Sequence, residues 1–376
     1  MMQWRVGTVR ERRRAWGGAI EYAVAVEPVG DAREGGADSL TVRALGYADI
    51  VGSLEVGDRV LLNTSALERG LGTGGYAFVV ATPDARPADP APGPGHIVKA
   101  RYTPQQQLVL AIDEQESPAH EAFLGGPAAA GDLDGFPVLV ADLHSALAPI
   151  LCGVRSLAPA ARVVYVMTDG GALPLAFSMA VAGLSEAGWL ATTITVGQAY
   201  GGSHEAVTLH SALLAAKYVL GADLAVVTQG PGNVGTGTPF GFTGLAAGEA
   251  LNAVHTLGGR GLGALRVSAA DPRGRHYGIS HHSRTAYGRV VLGRATLVVP
   301  GLPGEFGELV DAQADDLARE THNRLTLAGE PVDGLDEALA TSPVALSSMG
   351  RGLDADREYF LANAAAGRYA ARLLLN

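Results

Sequence analysis

The chain has 376 residues, is 47% hydrophobic and carries a formal net charge of −10 at pH 7. This acidic balance argues against a nucleic-acid partner, and no apolar run is long enough to cross a bilayer, so we expect no membrane partner. The N-terminus also lacks the apolar core of a signal peptide. Cys152 is the only cysteine, which fits a reducing compartment, and these features together predict a cytoplasmic protein.

Short strands are predicted in the first part of the chain. β-Branched or alternating apolar residues recur there between turns rich in Gly and Asp, a pattern typical of a small barrel or sandwich. The predicted strands are 5–9, 20–26, 40–45, 59–63 and 76–81. We therefore predict an all-β, barrel-like domain at residues 1–82.

A proline-rich linker is predicted at residues 83–95. Five prolines occur there among Gly, Asp and Ala residues, a composition that favours an extended, semi-rigid connector. A second domain is then expected at residues 96–376.

Strands and helices alternate in the predicted second domain. Its strands are continuous apolar runs, which indicates burial on both faces and hence a largely parallel sheet covered by helices on each side. The predicted strands are 108–112, 138–141, 163–167, 191–196, 224–227, 262–267 and 296–299. The predicted helices are 172–187, 205–220, 245–257 and a final amphipathic helix at 354–375. The fold class is therefore α/β, with a doubly wound, Rossmann-like sheet.

Polar residues are concentrated at the carboxyl ends of these strands. Ligands bind at this edge of open α/β sheets, so the pattern indicates a shared functional rim. The segments concerned are Asp142–Ser145, Thr168–Gly171, Gly197–Gln198, Gln229–Asn233 and Ser268–His276. The alternative is that helix caps and turns simply prefer the same residue types.

A glycine-rich loop follows the predicted strand 224–227 and precedes a predicted helix. Bare backbone N–H groups and hydroxyls in such a loop suit a phosphate or carboxylate. The candidate anion-binding residues are Gly230, Gly232, Asn233, Gly235, Thr236, Gly237 and Thr238. The loop lacks both the acidic residue of a dinucleotide site and the lysine of a P-loop, so neither assignment follows. A tight turn that requires glycine is the alternative.

The densest polar cluster lies between Arg266 and Thr285. We predict that Arg273 and Arg275 neutralise an anion, and that His276 and His281 are acid/base residues. Ser280 is predicted to cap a helix whose first turn contains His281 and His282. A solvated surface loop is the alternative.

Two further candidate sites use residues at the strand ends. His144 and Asp169 are predicted to take part in acid/base chemistry. Asp142, His144 and His282 are predicted to bind a divalent metal, although no recognised metal-binding spacing is present. The alternatives are a helix cap for Asp142 and an ordinary first-turn residue for His144.

The motifs together resemble a bacterial family catalogued only as a domain of unknown function. They are Gly70–Gly75, Ala141–Ser145, Thr168–Gly171, Gln229–Gly237 and Ile279–Ser283. The resemblance extends over nearly the full chain and implies no activity and no catalytic residue.

Two classes of function fit the sequence. The first is an enzyme that acts on a small anionic substrate, phosphorylated compounds included, with a divalent metal as the candidate cofactor. The second is a non-catalytic module that binds a metabolite or regulates a partner. Clustered His, Asp and Arg residues favour the enzyme. The sequence leaves open the reaction, the strand order, the formation of a homo-oligomer, and whether the Gly70–Gly75 loop joins the site.

Overall fold

The structure is a computed structural model that describes residues 2–28, 40–87, 89, 91, 93–322 and 324–375. The chain forms two compact units, one of residues 1–93 and 176–182, the other of residues 94–175 and 183–376. Residues 88, 90 and 92 of the predicted linker lie outside the described residues. Within the described residues, no helix is both long and apolar enough to cross a membrane.

A closed five-stranded barrel is the main feature of the first unit. Its strands are β1 (Trp4–Trp16), β2 (Ala19–Val26), β3 (Thr41–Tyr47), β4 (Arg59–Asn63) and β5 (Ala77–Ala81), in the order β1-β2-β3-β5-β4. Gly17 and Gly18 connect β1 to β2 with φ values of 49° and 88°, the positive angles that a two-residue hairpin turn needs. The β3–β5 pair is parallel and the other pairs are antiparallel. The predicted barrel is confirmed.

The second unit is built on an eight-stranded, fully parallel sheet. Its strands run in the order β11-β10-β9-β12-β8-β13-β16-β17. The remaining strands of this unit form three short antiparallel pairs. The strands are β6 (Ile97–Lys99), β7 (Gln107–Val109), β8 (Pro137–Val140), β9 (Val163–Thr168), β10 (Thr192–Thr195), β11 (His204–Glu205), β12 (Leu224–Gln229), β13 (Arg260–Ala264), β14 (Val267–Ser268), β15 (Gly278–Ile279), β16 (Ala295–Gly301), β17 (Leu325–Pro331), β18 (Ser347–Ser348) and β19 (Arg351–Gly352). The predicted doubly wound, parallel sheet is confirmed.

One predicted strand of this unit is wrong. The run 108–112 does not form a strand of the large sheet, because β7 pairs with β6 instead and leaves Leu108 65% exposed. The chain then meets the sheet edge by another route: the N–H of Ile112 donates to the carbonyl of Glu205 in β11 at 2.7 Å.

Helices cover both faces of the sheet. The helices among the described residues are α1 (Ala48–Val51), α2 (Ser65–Glu68), α3 (Gly126–Ala130), α4 (Leu147–Leu157), α5 (Met179–Glu186), α6 (Leu209–Tyr218), α7 (Ala246–Thr256), α8 (His281–Thr285), α9 (Gly304–Glu320), α10 (Leu335–Ala340) and α11 (Arg357–Leu373). Of these, α1, α2 and the first residues of α5 belong to the first unit. The predicted C-terminal helix corresponds to α11, which packs tightly on α4. A Cβ at Gly153 would lie 1.8 Å from the carbonyl oxygen of Ala364, and one at Gly367 would lie 1.9 Å from that of Ile150. Only glycine allows this approach.

A topological switch point lies between β8 and β12, which are neighbours in the sheet. The chain leaves β8 through α4 toward β9 on one side, and leaves β12 through α7 toward β13 on the other. Right-handed crossovers in opposite directions place these helices on opposite faces. Such an arrangement opens a crevice at the carboxyl ends of the two strands, where ligands of α/β proteins bind.

Candidate functional site

Two segments of the predicted rim pack backbone against backbone. The N–H of Gly230 donates to the carbonyl of Thr168 at 3.1 Å, and the N–H of Ala172 donates to that of Pro231 at 2.7 Å. A Cβ at Gly171 would lie 2.1 Å from the carbonyl oxygen of Gly230. Gly171 and Gly230 are therefore required for this close approach, and the N–H of Gly230 is already occupied by a protein partner.

Asp142 is a buried carboxylate at the switch point. It is only 3% exposed, and its Oδ2 atom has no hydrogen-bond partner among the described residues. Gln229 donates from Nε2 to the backbone carbonyl of Asp142 at 3.0 Å. Two other buried atoms, Gln229 Oε1 and Thr168 Oγ1, also have no hydrogen-bond partner among the described residues. All three residues line a cavity of about 10 Å³, beside Gly244 and Ala246 at the start of α7. A polar cavity of this size has room for about one water molecule.

The pKa of Asp142 is raised to about 6. Burial is the main cause, because it penalises the charged carboxylate, and the nearby charge of Arg266 partly offsets it. The helix-cap alternative for Asp142 is wrong: Leu143 takes the capping position of the short 3₁₀ turn His144–Ala146 that leads into α4. One oxygen of the buried Asp142 carboxyl group is therefore left without a partner among the described residues.

His144, two residues after Asp142, begins a chain of hydrogen bonds that continues into the buried interior. Its Nδ1 atom lies 3.0 Å from the hydroxyl of Tyr165, which in turn lies 2.9 Å from the hydroxyl of Thr228. Burial lowers the pKa of His144 to about 4, so the ring is neutral at pH 7. These contacts connect the ring to Tyr165 of β9 and, through it, to Thr228 of β12.

Three histidines come together beyond β13. His276 ends a 3₁₀ turn at Gly274–His276, while His281 and His282 begin α8. Ser280 caps this helix as predicted, because its hydroxyl accepts the N–H of His282 at 3.2 Å. One ring nitrogen from each histidine lies within 4.8 Å of the other two. The structure therefore unites the predicted pair His276 and His281 with His282.

Each ring of this cluster is held by its surroundings. His276 Nδ1 lies 2.7 Å from Ser280 Oγ, and Arg266 donates from Nη1 to Nδ1 of His282 at 3.2 Å. The ring of Phe242 stacks on His282, with ring centroids 3.9 Å apart and planes 9° apart. In contrast, Nε2 of His276 and Nε2 of His281 are buried without a hydrogen-bond partner among the described residues.

The histidine cluster is uncharged at neutral pH. Burial, followed by the positive charge of Arg266, lowers the pKa of His276 and of His282 to about 3. Burial also lowers the pKa of His281, followed by the charge of Arg275. The three rings therefore offer neutral nitrogens as acceptors, donors or ligands.

The predicted anion-binding arginines differ in their surroundings. Arg273 donates to Asp271 from Nε at 2.9 Å and from Nη2 at 2.7 Å, and these bonds hold the pKa of Asp271 well below its usual range. Asp271 also pairs with Arg266 at 3.8 Å and with Arg351 at 3.5 Å. Arg275 is exposed and is not among the partners of Asp271. Its charge is therefore the more available to a ligand.

The glycine-rich loop forms a hairpin. The N–H of Thr236 donates to the carbonyl of Gly241 at 2.7 Å, and that of Thr243 to Val234 at 2.9 Å. Positive φ angles of 96° at Gly232 and 79° at Gly237 require glycine. The loop does not run directly into a helix, since Thr243–Leu245 form a 3₁₀ turn and α7 begins at Ala246. Through Phe242, the returning arm of the hairpin reaches the histidine cluster.

The predicted metal ligands Asp142 and His144 do not group with His282. Among the described residues, two groups have three ligand atoms within 4.8 Å, and neither contains Asp142, His144 or Asp169. Asp169 is exposed, and its Oδ2 accepts the N–H of Gln198 at 3.0 Å. The histidine cluster is the first group. The second, His96 with Glu114 and Glu116, carried no signal in the sequence analysis.

Two further site residues, Arg266 and Phe242, were not predicted from the sequence. Arg266 is 3% exposed and Phe242 is 6% exposed, so both lie in the interior of the rim. The available signal for Arg266 was an arginine next to an apolar strand, because an arginine that such a strand carries into the interior needs partners. Phe242 resembles any core aromatic residue, and no signal marked it.

Comparison with known families gives one result. The family model described as protein of unknown function (DUF3866) matches residues 43–367. The chain belongs to this family. The match confirms the resemblance that the motifs indicated, and it includes the central strands, the hairpin and the histidine cluster of this DUF3866 chain. The search of curated proteins found no match. The function must therefore be argued from the site itself.

Proposed function

We propose that the chain is an enzyme that acts on a small anionic substrate, phosphorylated compounds included, at the carboxyl edge of its parallel sheet. The observation that carries the proposal is Asp142, a carboxylate buried at the switch point with a raised pKa and with one oxygen that has no partner in the part of the chain that the structure describes. Burying a carboxylate without a full set of partners costs stability. Groups of this kind are concentrated at catalytic sites, where a shifted pKa serves proton transfer.

Asp142 is suited to act as a general acid or base. A pKa of about 6 keeps both protonation states accessible near neutral pH. The cavity that Asp142 lines is too small for a substrate and suits one water molecule. Asp142 would therefore exchange its proton with the substrate through a single bridging water, as catalytic carboxylates can.

An excess of positive charge favours an anionic substrate. Arg266, Arg273 and Arg351 share the carboxylate of Asp271, with Asp356 as a second partner of Arg351 at 2.9 Å. Arg275 adds a further guanidinium beside His281. In this proposal Arg275 holds the anion, and the hairpin from Gly232 to Thr238 completes its site with its hydroxyls and with its amides other than those of Val234 and Thr236, which already have protein partners.

Ligand-dependent thermal stabilisation tests the binding half of the proposal. The probes are inorganic phosphate, sugar phosphates, nucleoside monophosphates and small dicarboxylates. We expect at least one probe to raise the melting temperature of the wild type, and Arg275→Gln to remove most of that rise. Arg289→Gln is the control, because Arg289 is also exposed and the substitution removes the same charge. An equal rise in both variants would exclude Arg275 as the anion-binding group.

Turnover tests the catalytic half. Any probe that stabilises the protein is incubated with wild type and with Asp142→Asn, and products are followed by mass spectrometry. We expect product only with the wild type, and the same stabilisation by the probe in both proteins. Binding without turnover in the wild type would instead indicate the metabolite-binding module.

A further inference from the structure

Two buried nitrogen atoms distinguish the histidine cluster. Nε2 of His276 and Nε2 of His281 have no hydrogen-bond partner among the described residues, although His276 is only 1% exposed. A buried polar atom without a partner costs free energy, so its retention asks for an explanation. Two such atoms on neighbouring rings, 4.8 Å apart between centroids, point to a common ligand.

We propose that His276, His281 and His282 bind a divalent transition-metal ion of the zinc type. One nitrogen from each ring lies within 4.8 Å of the others. Zinc bound to three nitrogens at about 2.0–2.1 Å would bring them to about 3.3 Å from one another, so the ring nitrogens need to approach by up to about 1.5 Å. Three imidazoles leave a fourth position open, as in catalytic rather than structural sites.

Ser280 orients one of the ligands. Its Oγ lies 2.7 Å from Nδ1 of His276 and accepts the backbone N–H of His282. When Nδ1–H of His276 donates to Ser280, the lone pair of His276 lies on Nε2, the unpaired atom. A hydrogen bond of this kind on the far nitrogen is the usual support of a metal-binding histidine.

Arg266 opposes the metal at the third ligand. It donates to Nδ1 of His282. A metal on Nδ1 would displace this donor, and a metal on Nε2 of the neutral ring would leave the proton on Nδ1, which then no longer accepts, so either mode requires this hydrogen bond to break. Its positive charge also disfavours a second cation nearby, while Asp271, 3.8 Å away, partly compensates. Metal binding and the Arg266–His282 bond are therefore alternatives at this ring.

The second group of side chains that could bind a metal can be compared with the histidine cluster. His96, Glu114 and Glu116 also have ligand atoms within 4.8 Å of one another. Both oxygens of Glu114 are occupied, since they accept the N–H groups of His96 at 2.6 Å and Ala111 at 2.9 Å. Glu116 accepts the N–H of Gly95 at 2.5 Å. These carboxylates already have protein partners, so we expect no metal there.

Cobalt titration of the full chain tests the proposal and needs no substrate, so its outcome is independent of the proposed activity. Protein stripped with a chelator is titrated with Co²⁺, and binding is followed by visible absorption and by metal analysis. We expect about one Co²⁺ per chain, displaced by Zn²⁺. His281→Gln should weaken binding at least tenfold, and His96→Gln should leave it unchanged.

His276→Gln and His282→Gln are the second pair of variants, with circular dichroism as the check on folding. His281→Gln is the principal variant, because its side chain is only partly buried and its loss is the least harmful to the fold. Equal Co²⁺ affinity in wild type and folded His281→Gln would overturn the proposal. So would loss of binding in His96→Gln alone, or the absence of bound Co²⁺ in the wild type.

Discussion

Gln229 and Asp142 are joined by a hydrogen bond of 3.0 Å, from the side-chain amide of Gln229 to the backbone carbonyl of Asp142. The bond links the ends of β12 and β8, the two strands from which the chain departs in opposite directions. It holds together the walls of the water-sized cavity and leaves Oε1 of Gln229 facing the same surroundings as the carboxylate of Asp142. The site is thus assembled from strands far apart in the sequence.

Gln229→Glu should be strongly destabilising at alkaline pH. The substitution removes the amide donor and places a second carboxylate beside buried Asp142, and like charges in a shared site oppose ionisation. We expect a loss of about 3–5 kcal/mol in the free energy of unfolding at pH 8. Gln229→Met, which removes the hydrogen bond without adding charge, should lose only about 1–3 kcal/mol. Denaturant unfolding at pH 8 and pH 5 should show the two variants converging at the lower pH, and a constant gap between them would contradict the argument.

Gly171→Ala should destabilise the second unit. The new methyl group would lie 2.1 Å from the carbonyl oxygen of Gly230, so the contact between β9 and β12 at the rim must open. Overpacking of this kind typically costs about 1–3 kcal/mol. Gly274→Ala is the matched control, since no heavy atom of the described residues lies within 4 Å of the added methyl group there. Thermal unfolding measures the stability of both variants. Equal melting temperatures for Gly171→Ala and Gly274→Ala would refute the packing argument.

Gly235→Asp tests the hairpin as an anion site. Gly235 does not have a positive φ angle, and its nearest neighbour on substitution is Cβ of Phe242 at 3.5 Å, so a side chain is tolerated. The new carboxylate should weaken binding of inorganic phosphate or a sugar phosphate about tenfold, because it repels the anion. Gly235→Asn has nearly the same shape without the charge and should bind almost as the wild type does. Isothermal titration that finds equal weakening in both variants would assign the effect to shape alone.

Arg266→Met should strengthen metal binding. Removing the guanidinium frees Nδ1 of His282 and removes a positive charge from the site, while Asp271 keeps Arg273 and Arg351 as partners. We expect the Co²⁺ affinity to rise about tenfold, the size of effect that outer partners have on metal sites. Absorption titration gives the affinity, and circular dichroism confirms the fold. A weaker affinity in the folded variant would mean that Arg266 supports the ligand instead of competing for it.

Features encoded within one segment could be predicted from the sequence. The barrel strands and the buried parallel strands follow from local apolar patterns, and Ser280 as the cap of α8 follows from its position ahead of His281. Strand β17 was not predicted. It lies at the edge of the sheet, so it contains polar residues that interrupt the continuous apolar pattern. One of them, Glu330, is paired with Arg368 at 2.8 Å and with Arg372 at 2.7 Å.

Features that depend on strand order could not be predicted. The contact between Gly171 and Gly230 exists because β9 and β12 are neighbours, which no local pattern encodes. For the same reason the sequence grouped Asp142 and His144 with His282, whereas the fold gives His282 the neighbours His276, His281 and Phe242. It also treated Arg273 and Arg275 as equivalent, although only Arg273 is paired with Asp271.

The pH dependence of stability in Asp142→Asn tests the central claim, that the rim keeps an unsatisfied carboxylate at a cost in stability. The pKa of Asp142 lies at about 6, above the ordinary value of 3.8, so the folded chain takes up this proton first as the pH falls. Ionised Asp142 therefore destabilises the fold above about pH 6, and this cost disappears below about pH 4. Denaturant unfolding should find Asp142→Asn more stable than the wild type by about 3 kcal/mol at pH 7.5, from 1.36 kcal/mol per pKa unit, with the difference vanishing near pH 4. A variant that is no more stable than the wild type at pH 7.5, or a difference that does not change with pH, would contradict the account.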